Sequence, residues 1–232
     1  MSIKNHKNYS NAVGRWSYSK LSTYEQCPRQ FRHKYIDKLP QPEPGPALAR
    51  GLDIHEKAEK FVTGVIKKLP KELEAYSDEF KSLKKMGGTK EIDCSFTKDF
   101  QPTAWNAWDN VWCISKLDST CKIEDDEACI IDYKTGKVYD THKDQSDVYA
   151  LAGFIHWPHV DYITGEFWYL DQPNEEPGIW VYERKQHFKQ LQNLFARRVA
   201  AMSKDTKFNI KPSYKCKWCD FNISKGGPCD PG

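Results

Sequence analysis

The segment from Val111 to Lys134 constrains the fold most, because it contains two short strand-like runs with an acidic stretch between them. The first run, VWCISKLD, ends at Asp118, and the second, EACIIDYK, ends with Asp132-Tyr133-Lys134. Short runs of apolar, aromatic and β-branched residues bounded by polar residues are typical of strands. The acidic stretch KIEDDEA between them indicates a turn. The sequence therefore predicts two neighbouring strands that carry acidic side chains at their ends.

The ends of these two strands form a candidate site for phosphodiester hydrolysis. Carboxylates such as those of Asp118 and Asp132 bind Mg²⁺ or Mn²⁺, and the backbone carbonyl of Tyr133 is a candidate third ligand. Lys134 follows Asp132 by two residues and so shares its face of the strand. An ammonium there can orient or deprotonate the attacking water, or neutralise charge on the phosphate. His55, on a predicted helix, is either a further ligand or a core histidine.

The rest of the pattern predicts a mixed α/β fold. Ser22 and Glu25 fit a capping box, Pro28 fits the first turn of a second helix, and residues 40–46 form a break. Residues 68–90 indicate a mixture of helix and loop. The predicted helices are 17–38, 47–67, 144–157 and 185–203, and the predicted strands are 91–96, 105–120, 127–134, 160–170 and 178–184. This order favours an α/β (α+β) architecture with a mixed central sheet flanked by helices.

Length and composition exclude several classes of protein. A chain of 232 residues suits one domain with a small appendage, and a net charge of +3 does not by itself predict a nucleic-acid partner. No apolar run approaches the roughly 20 residues that span a bilayer, and residues 1–16 form a polar, mobile leader without a secretory signal. We therefore expect a cytoplasmic protein without a membrane partner. In that compartment, eight cysteines are core residues or metal ligands rather than disulfides.

Five short motifs, taken in order, resemble one family. They are S-x-L-x-x-Y-x-x-C-P-R from Ser19 to Arg29, G-x-x-x-H at Gly51 and His55, x-K-x-D at Lys116 and Asp118, D-x-K at Asp132 and Lys134, and Q-x-x-x-Y at Gln145 and Tyr149. The pattern is similar to that of RecB-type nucleases of the PD-(D/E)XK superfamily. The phage-encoded and CRISPR-associated iron–sulfur exonucleases are similar in size. The resemblance spans residues 17–229.

The resemblance implies a PD-(D/E)XK core, at residues 17–208, and a metal-dependent DNA exonuclease that acts on single-stranded DNA or duplex ends in degradation, recombination or repair. An oligomer or a recombination partner protein fits this setting. The resemblance assigns roles to seven residues: His55, Asp118, Asp132 and the Tyr133 carbonyl as metal ligands, Lys134 as the catalytic lysine, and Gln145 and Tyr149 as residues that support the site and touch DNA. Two positions depart from the family: Ser115 replaces a frequent Gly, and Asp132 replaces a frequent Glu.

The cysteines near the C-terminus indicate a second metal site. Cys216, Cys219 and Cys229 lie in the tail 209–232, and Cys27 lies far upstream. The spacing alone favours a closed zinc site, since C-x2-C is its commonest signature. The family resemblance instead implies a [4Fe–4S] cluster that clasps the tail to the first helices. The other four cysteines are expected to be small buried residues: Cys94, Cys113, Cys121 and Cys129.

Two basic runs and three tryptophans are candidate DNA contacts. The first basic run comprises Arg29, Arg32, His33 and Lys34, and the second comprises Arg184, Lys185, His187, Lys189, Arg197 and Arg198. The alternative to DNA binding is that each run is a solvent-exposed charged face. We expect Trp105, Trp108 and Trp112 to be buried in the core, with base stacking as the alternative. The apolar residues of the last helix are expected to pack on the sheet.

Two other functional classes stay open at this point. One is a non-catalytic nucleic-acid-binding protein with a structural zinc or iron–sulfur site. The other is a zinc-bearing interaction module without a nucleic-acid role. The intact Asp118, Asp132 and Lys134 favour the nuclease over both.

Overall fold

A computed structural model of the chain describes residues 13–43, 45–172 and 174–231. These residues divide into two compact units. The central unit comprises residues 44–193, and the terminal unit comprises the residues up to 43 and from 194 onward. This division differs from the predicted core at 17–208. Most of the predicted leader, residues 1–12, lies outside the described residues, whereas Val13 and Trp16 at its end are buried.

Six α-helices and eight strands are described. The helices are α1 (Tyr18–Gln26), α2 (Pro28–Phe31), α3 (Pro46–Val62), α4 (Ser77–Lys85), α5 (His142–His156) and α6 (Arg184–Lys204). The strands are β1 (Ile92–Asp93), β2 (Ser95–Phe96), β3 (Pro102–Thr103), β4 (Lys116–Leu117), β5 (Ser119–Glu124), β6 (Glu127–Lys134), β7 (Tyr162–Tyr169) and β8 (Gly178–Glu183). Short 3₁₀ helices span Lys71–Tyr76, Tyr214–Trp218 and Ile223–Lys225, and a π-helix follows α2 at Arg32–Ile36.

The main sheet of the central unit contains four strands in the order β5-β6-β7-β8. The β5–β6 and β7–β8 pairs are antiparallel, and β6 and β7 are parallel. A parallel pair needs a long crossover connection, and α5 provides it between β6 and β7. Two small antiparallel ribbons, β1–β4 and β2–β3, lie outside this sheet. The predicted mixed sheet is therefore confirmed.

Helix α5 packs against one face of the sheet at very short range. A Cβ atom at Gly165 of β7 would lie 2.3 Å from the Ser146 hydroxyl oxygen, so this contact requires glycine. Residues 146–155 of α5 are buried without interruption. Because successive side chains of a strand point to opposite faces, Asp132 faces α5 while Tyr133 faces away from it. The packing of α5 thus determines what surrounds Asp132.

Helices α3 and α4 pack on the side of the sheet to which Tyr133 points. The rings of Phe80, Tyr133 and Trp168 meet there, with centroids 5.3 Å apart for Phe80–Tyr133 and 5.0 Å apart for Phe80–Trp168. Ile54 and Ala58 of α3 are buried in the same cluster. Aromatic pairs at this separation contribute beyond the apolar area that they bury. This core holds α3 in place and thereby positions His55.

The terminal unit has its own aromatic core. Trp16 stacks on Phe195 of α6 with centroids 5.7 Å apart, and Phe31 stacks on Phe208 at 6.2 Å. Phe195 is fully buried, so the apolar stripe predicted for α6 is buried, but here it packs on Trp16. No helix among the described residues is long and apolar enough to cross a bilayer.

Several local predictions were wrong at the level of element boundaries. The N-cap of α1 is Ser17, whose hydroxyl accepts from the Lys20 amide, so the capping box predicted for Ser22 and Glu25 is wrong because both lie inside α1. Pro28 does occupy the first turn of α2, as predicted. Helix α3 ends at Val62 rather than at residue 67, and its Leu48 and Leu52 are exposed.

The region before Asp118 is less regular than its sequence predicts. Residues 105–115 form no strand; they are turns and loop around one isolated bridge between Phe96 and Cys113. The prediction was wrong because aromatic and apolar residues recur through this segment as in a strand, although turns interrupt it at residues 105–106 and 108–110. The acidic turn is also shorter than predicted: β5 continues to Glu124, and only Asp125 and Asp126 form the turn.

Candidate active site

Asp118 and Asp132 meet at the end of the β5–β6 hairpin. The register pairs Ser119 with Ile131, which places Asp118 beside the last residues of β6. The amide of Tyr133 donates to Oδ2 of Asp118 at 2.9 Å. Burial raises the pKa of Asp118, and the charge of Asp132 raises it further, because two adjacent carboxylates resist being ionised together. The two predicted acids therefore share one site.

His55 lies against the same carboxylate. Its Nδ1 is 3.2 Å from Oδ2 of Asp118, and its ring meets the ring of Tyr133 edge-on at 5.8 Å. Burial acts to lower the pKa of His55, but the hydrogen bond and charge of Asp118 and the charge of Asp132 outweigh it, so the pKa is raised. His55 is part-exposed and faces the two acids, so the alternative of an enclosed core histidine does not describe it.

Lys134 lies on the same side of β6 as Asp132, as the two-residue spacing predicts. Its Nζ is 2.6 Å from Oδ2 of Asp132 and donates to Oε1 of Gln145 at 3.0 Å. Although Lys134 is close, Oδ2 of Asp132 is a fully buried atom without a hydrogen bond of good geometry. The lysine is therefore an ion-pair neighbour that leaves this oxygen available to another cation.

Gln145 and Tyr149, one turn apart on α5, hold the other oxygen of Asp132. The Tyr149 hydroxyl donates to Oδ1 at 2.7 Å, and Nε2 of Gln145 donates to the same oxygen at 3.2 Å and to the Tyr149 hydroxyl at 2.6 Å. Burial and the charge of Asp132 raise the pKa of Tyr149 well above its ordinary value, which keeps the hydroxyl protonated as a donor. All of the residues predicted for this site are thus brought together. We call His55, Asp118, Asp132 and Lys134 the acid cluster.

The donors of the acid cluster fit a hard divalent cation. Carboxylate oxygens with a backbone carbonyl suit Mg²⁺ or Mn²⁺, and an imidazole is tolerated better by Mn²⁺. Oδ2 of Asp132, a buried oxygen that the Lys134 ammonium contacts at 2.6 Å without a hydrogen bond of good geometry, is the atom that such a cation would bind. As they stand, no three His, Cys, Asp or Glu side chains in the described part of the chain converge closely enough to hold a metal ion. A cation here would therefore also use the backbone carbonyl or water as ligands.

Sequence reasoning missed an ion pair beside this site. The carboxylate of Asp171 accepts hydrogen bonds from both terminal guanidinium nitrogens of Arg50, at 2.7 and 2.6 Å, and from the amide of Gly136 at 2.8 Å. It therefore ties α3 to the loop that follows Lys134. No local sequence signal pairs an arginine with an aspartate 121 residues away.

Several members of both basic runs make contacts within the fold, whereas Lys185, Lys189 and Arg197 are exposed, so a DNA-binding role for the runs stays a prediction. Arg184 donates to the backbone carbonyls of Val160, Phe154 and Trp157. Arg198 forms a bidentate pair with Glu25, at 2.7 and 2.6 Å. In the first run, Arg29 donates to the carbonyl of Phe208, Arg32 pairs with Asp37, and His33 is buried.

The expected burial of the tryptophans was wrong for two of the three. Trp105 and Trp108 are exposed and form an edge-to-face pair, and Trp112 is partly buried against Phe96 and Phe100. By contrast, the burial predicted for the four strand-region cysteines is confirmed for Cys94, Cys113, Cys121 and Cys129.

Cys27, Cys216, Cys219 and Cys229, which we call the cysteine cluster, lie near one another in the terminal unit. Burial raises the pKa of Cys219 and Cys229, and the charges of Cys27 and Cys216 raise both further, so these thiols are within electrostatic reach of one another. The Ser213 amide donates to Sγ of Cys216 at 3.3 Å, and the four thiols are free. The structure brings the four together, but not into the geometry of a metal site.

Comparisons with known proteins identify the family and agree with the fold. Residues 15–87 and 114–224 match the PD-(D/E)XK nuclease superfamily, and since the match covers most of the chain, the protein belongs to that superfamily. The fold is similar to the crystal structure of a "Putative exonuclease" from Eubacterium rectale, with a TM-score of 0.51 and 14% identity over 96% of this chain and 93% of that chain.

A second crystal structure, that of SSO0001, gives a TM-score of 0.46 and 12% identity over 96% of this chain and 87% of that chain. No curated protein matches the sequence at a significant level.

Proposed function

We propose that this protein is a divalent-metal-dependent DNA exonuclease that hydrolyses phosphodiester bonds. The observation that carries the proposal is the contact of Lys134 with Asp132 at 2.6 Å, beside Asp118, in a member of the PD-(D/E)XK nuclease superfamily. The fold neighbour from Eubacterium rectale bears the name of an exonuclease, which supports the same reaction class. DNA degradation, recombination or repair in the cytoplasm is the setting that this activity implies.

Four groups of this chain would bind the cation once the three side chains draw closer together than they stand: the imidazole of His55, the carboxylates of Asp118 and Asp132, and the carbonyl of Tyr133. A bound Mg²⁺ or Mn²⁺ supplies Lewis acidity toward the phosphate and lowers the pKa of a ligated water. The protein's part is to present buried carboxylates in a fixed orientation. Tyr149 and Gln145 fix Oδ1 of Asp132, so that Oδ2 points to the site. Partners of this kind typically contribute 10- to 100-fold to metal affinity or activity.

Lys134 supplies a fixed positive charge next to the scissile phosphate. The ammonium of Lys134 donates a hydrogen bond to Oε1 of Gln145 at 3.0 Å, which would hold it at the site when a cation takes its place beside Asp132. An ammonium so placed stabilises the negative charge that develops on the phosphate and orients the attacking water. Removing it should affect the chemical step more than DNA binding.

The test compares Lys134→Ala with a matched lysine on the same sheet. Lys122 is exposed on β5 and contacts only Asp125, so Lys122→Ala is the control. With end-labelled DNA and Mn²⁺ or Mg²⁺, we expect Lys134→Ala to lose cleavage and to keep DNA binding, and Lys122→Ala to behave as wild type. Cleavage by Lys134→Ala at the wild-type rate would reject the assigned role. No metal-dependent loss of label with the wild-type protein would favour a non-catalytic nucleic-acid-binding protein.

We further propose that the cysteine cluster holds a [4Fe–4S] cluster, with structural zinc as the alternative. Four thiols of one unit lie within electrostatic reach of each other, and the Ser213 amide already donates to one sulfur, as is common around ligating thiolates. Freshly purified protein should be brown and contain iron and sulfide. Colourless protein with stoichiometric zinc would select the alternative, and metal-free folded protein would reject both.

A further inference from the structure

The tail of the terminal unit exposes two large aromatic rings. Tyr214 and Trp218, at the ends of the 3₁₀ helix, are 73% and 58% exposed. Their ring centroids are 6.0 Å apart and their planes are nearly perpendicular, at 88°. Both rings therefore present surface to a ligand, and the Lys217 ammonium lies over one face of the Trp218 ring. Flat aromatic side chains at a surface are the usual platform for stacking nucleobases.

Lysines surround these two rings. Nζ of Lys217 lies 3.9 Å above the centroid of the Trp218 ring. Nζ of Lys215 donates to the side-chain carbonyl of Gln26, and Nζ of Lys211 donates to the backbone carbonyl of Glu25. None of these three ammonium groups has a carboxylate partner among the described residues, and all three are exposed. The surrounding segment, residues 204–225, contains six lysines and two aspartates.

A second exposed pair shows why charge decides which surface binds. Trp105 and Trp108 are 50% and 61% exposed, and their centroids are 6.1 Å apart. Their segment, residues 97–115, contains one lysine and two aspartates. It therefore offers rings of similar size without an attraction for phosphate. Of these two exposed pairs, the tail pair alone lies among lysines that have no carboxylate partner within the described residues.

We propose that Tyr214, Lys215, Lys217 and Trp218, which we call the tail surface, bind single-stranded nucleic acid. Unpaired bases can stack on the two rings while the lysines neutralise the adjacent phosphates. A duplex cannot use the rings in this way, since its bases already stack on each other. The tail surface would bind the class of strand that the acid cluster is proposed to cleave, and in that sense the inference rests on the proposed nuclease function.

The experiment measures binding of fluorescein-labelled oligothymidine, and of a blunt duplex, to the full chain without added divalent cation. Loss of one stacking residue costs about 1–3 kcal/mol per base, so Tyr214→Ala and Trp218→Ala should each raise Kd for the oligothymidine about 5- to 150-fold. Trp218→Phe keeps a ring and should retain most of the affinity. Lys215→Ala and Lys217→Ala should each reduce the salt dependence of log K by about 0.7.

Trp105→Ala is the matched control, because it removes an exposed tryptophan of another pair, and it should leave Kd unchanged. An unchanged Kd in the Tyr214→Ala, Trp218→Ala double variant would overturn the proposal. So would an equal loss in Trp105→Ala, or an equal loss of duplex binding. If Trp218→Ala fails to fold, as judged by its melting temperature, Trp218→Phe compared with Trp218→Leu separates ring stacking from general packing.

The binding measurement tests the tail surface and the cleavage measurement tests the nuclease function, so the two proposals can fail separately. If wild-type protein cleaves DNA while the double variant binds oligothymidine normally, the tail surface is rejected and the nuclease function stands. If wild-type protein binds oligothymidine through these rings but does not cleave DNA with Mn²⁺ or Mg²⁺, the tail surface stands and the nuclease function is rejected.

Discussion

The acid cluster and the cysteine cluster both collect ligand-type side chains, but among the described residues only the acid cluster receives hydrogen bonds from side chains. Oδ1 of Asp132 accepts from Tyr149 and Gln145, and Oδ2 of Asp118 accepts from the Tyr133 amide. In the cysteine cluster the described hydrogen bonds to sulfur come from backbone amides, from Ser213 to Cys216 and from Phe221 to Cys219. Side chains of a helix therefore orient the carboxylate of Asp132, whereas no described side chain donates to the cysteine sulfurs.

The difference follows from the charge of the two ligand types. A buried carboxylate is costly unless donors or cations compensate it, so the fold must supply them at all times. A thiol is neutral until it binds a metal, and it can be half-buried without partners. We therefore expect the acid cluster to keep its geometry without metal, and the cysteine cluster to acquire its geometry on binding.

The largest effect should come from Asp132→Asn. The substitution keeps the size of the side chain and removes the buried negative charge that would hold the cation. Weaker binding of the cation should remove several kcal/mol of transition-state stabilisation, which corresponds to a loss of roughly 10³-fold or more in kcat/KM. Nucleotide release from end-labelled DNA measures it. A loss smaller than tenfold would mean that Asp132 does not ligate the metal.

The next largest effect is expected for Cys219→Ser. If the cluster geometry depends on metal, loss of one thiolate should abolish metal content and lower the melting temperature of the protein. Metal analysis, the visible spectrum and thermal unfolding measure these quantities. The matched control is Cys113→Ala. Cys113 is fully buried, and burial raises the pKa of its thiol well above the ordinary value, so its loss should leave metal content unchanged. Equal metal content in Cys219→Ser and wild type would contradict the proposal that Cys219 binds the metal of the cysteine cluster.

A smaller effect is expected for Tyr149→Phe. Removing the hydroxyl leaves Oδ1 of Asp132 with the weaker contact from Gln145, and outer partners of this kind are worth about 10- to 100-fold. We expect kcat to fall by that factor, and the apparent affinity for Mn²⁺ to fall with it. Tyr162→Phe, at the exposed start of β7, is the control. If both variants retain wild-type kcat, the acid cluster is not preorganised by α5.

The smallest effect concerns His33, next to the aromatic core of the terminal unit. Burial lowers the pKa of His33, and Arg29 and Arg32 lower it further, although Asp37 opposes them. Its Nε2 is buried without a partner. The unfolded chain therefore binds the proton more readily, and stability is lost as pH falls below about 6.5, the ordinary histidine pKa. Melting temperatures of wild type and His33→Gln between pH 5 and 8 should converge at low pH. Parallel curves would contradict this assignment.

Much of the central unit could be predicted because its signals are local. The run EACIIDYK is buried and short, which predicts β6, and the two-residue spacing predicts that Lys134 lies beside Asp132. The positions of Gln145 and Tyr149 came from the family resemblance. What could not be predicted depends on distant partners: a run of basic residues looks the same whether its arginines face solvent or, like Arg184, bind three carbonyls. The exposure of Trp105 likewise depends on packing that no local pattern encodes.

The most direct test of the central claim uses end-labelled linear DNA and closed circular DNA, each incubated with the wild-type protein and increasing Mn²⁺ or Mg²⁺. The account predicts that label is released from linear DNA in proportion to bound metal, that chelation stops the release, and that circular DNA stays intact. Linear DNA that keeps its label at every metal concentration, with the protein folded, would contradict the claim that the acid cluster hydrolyses phosphodiester bonds.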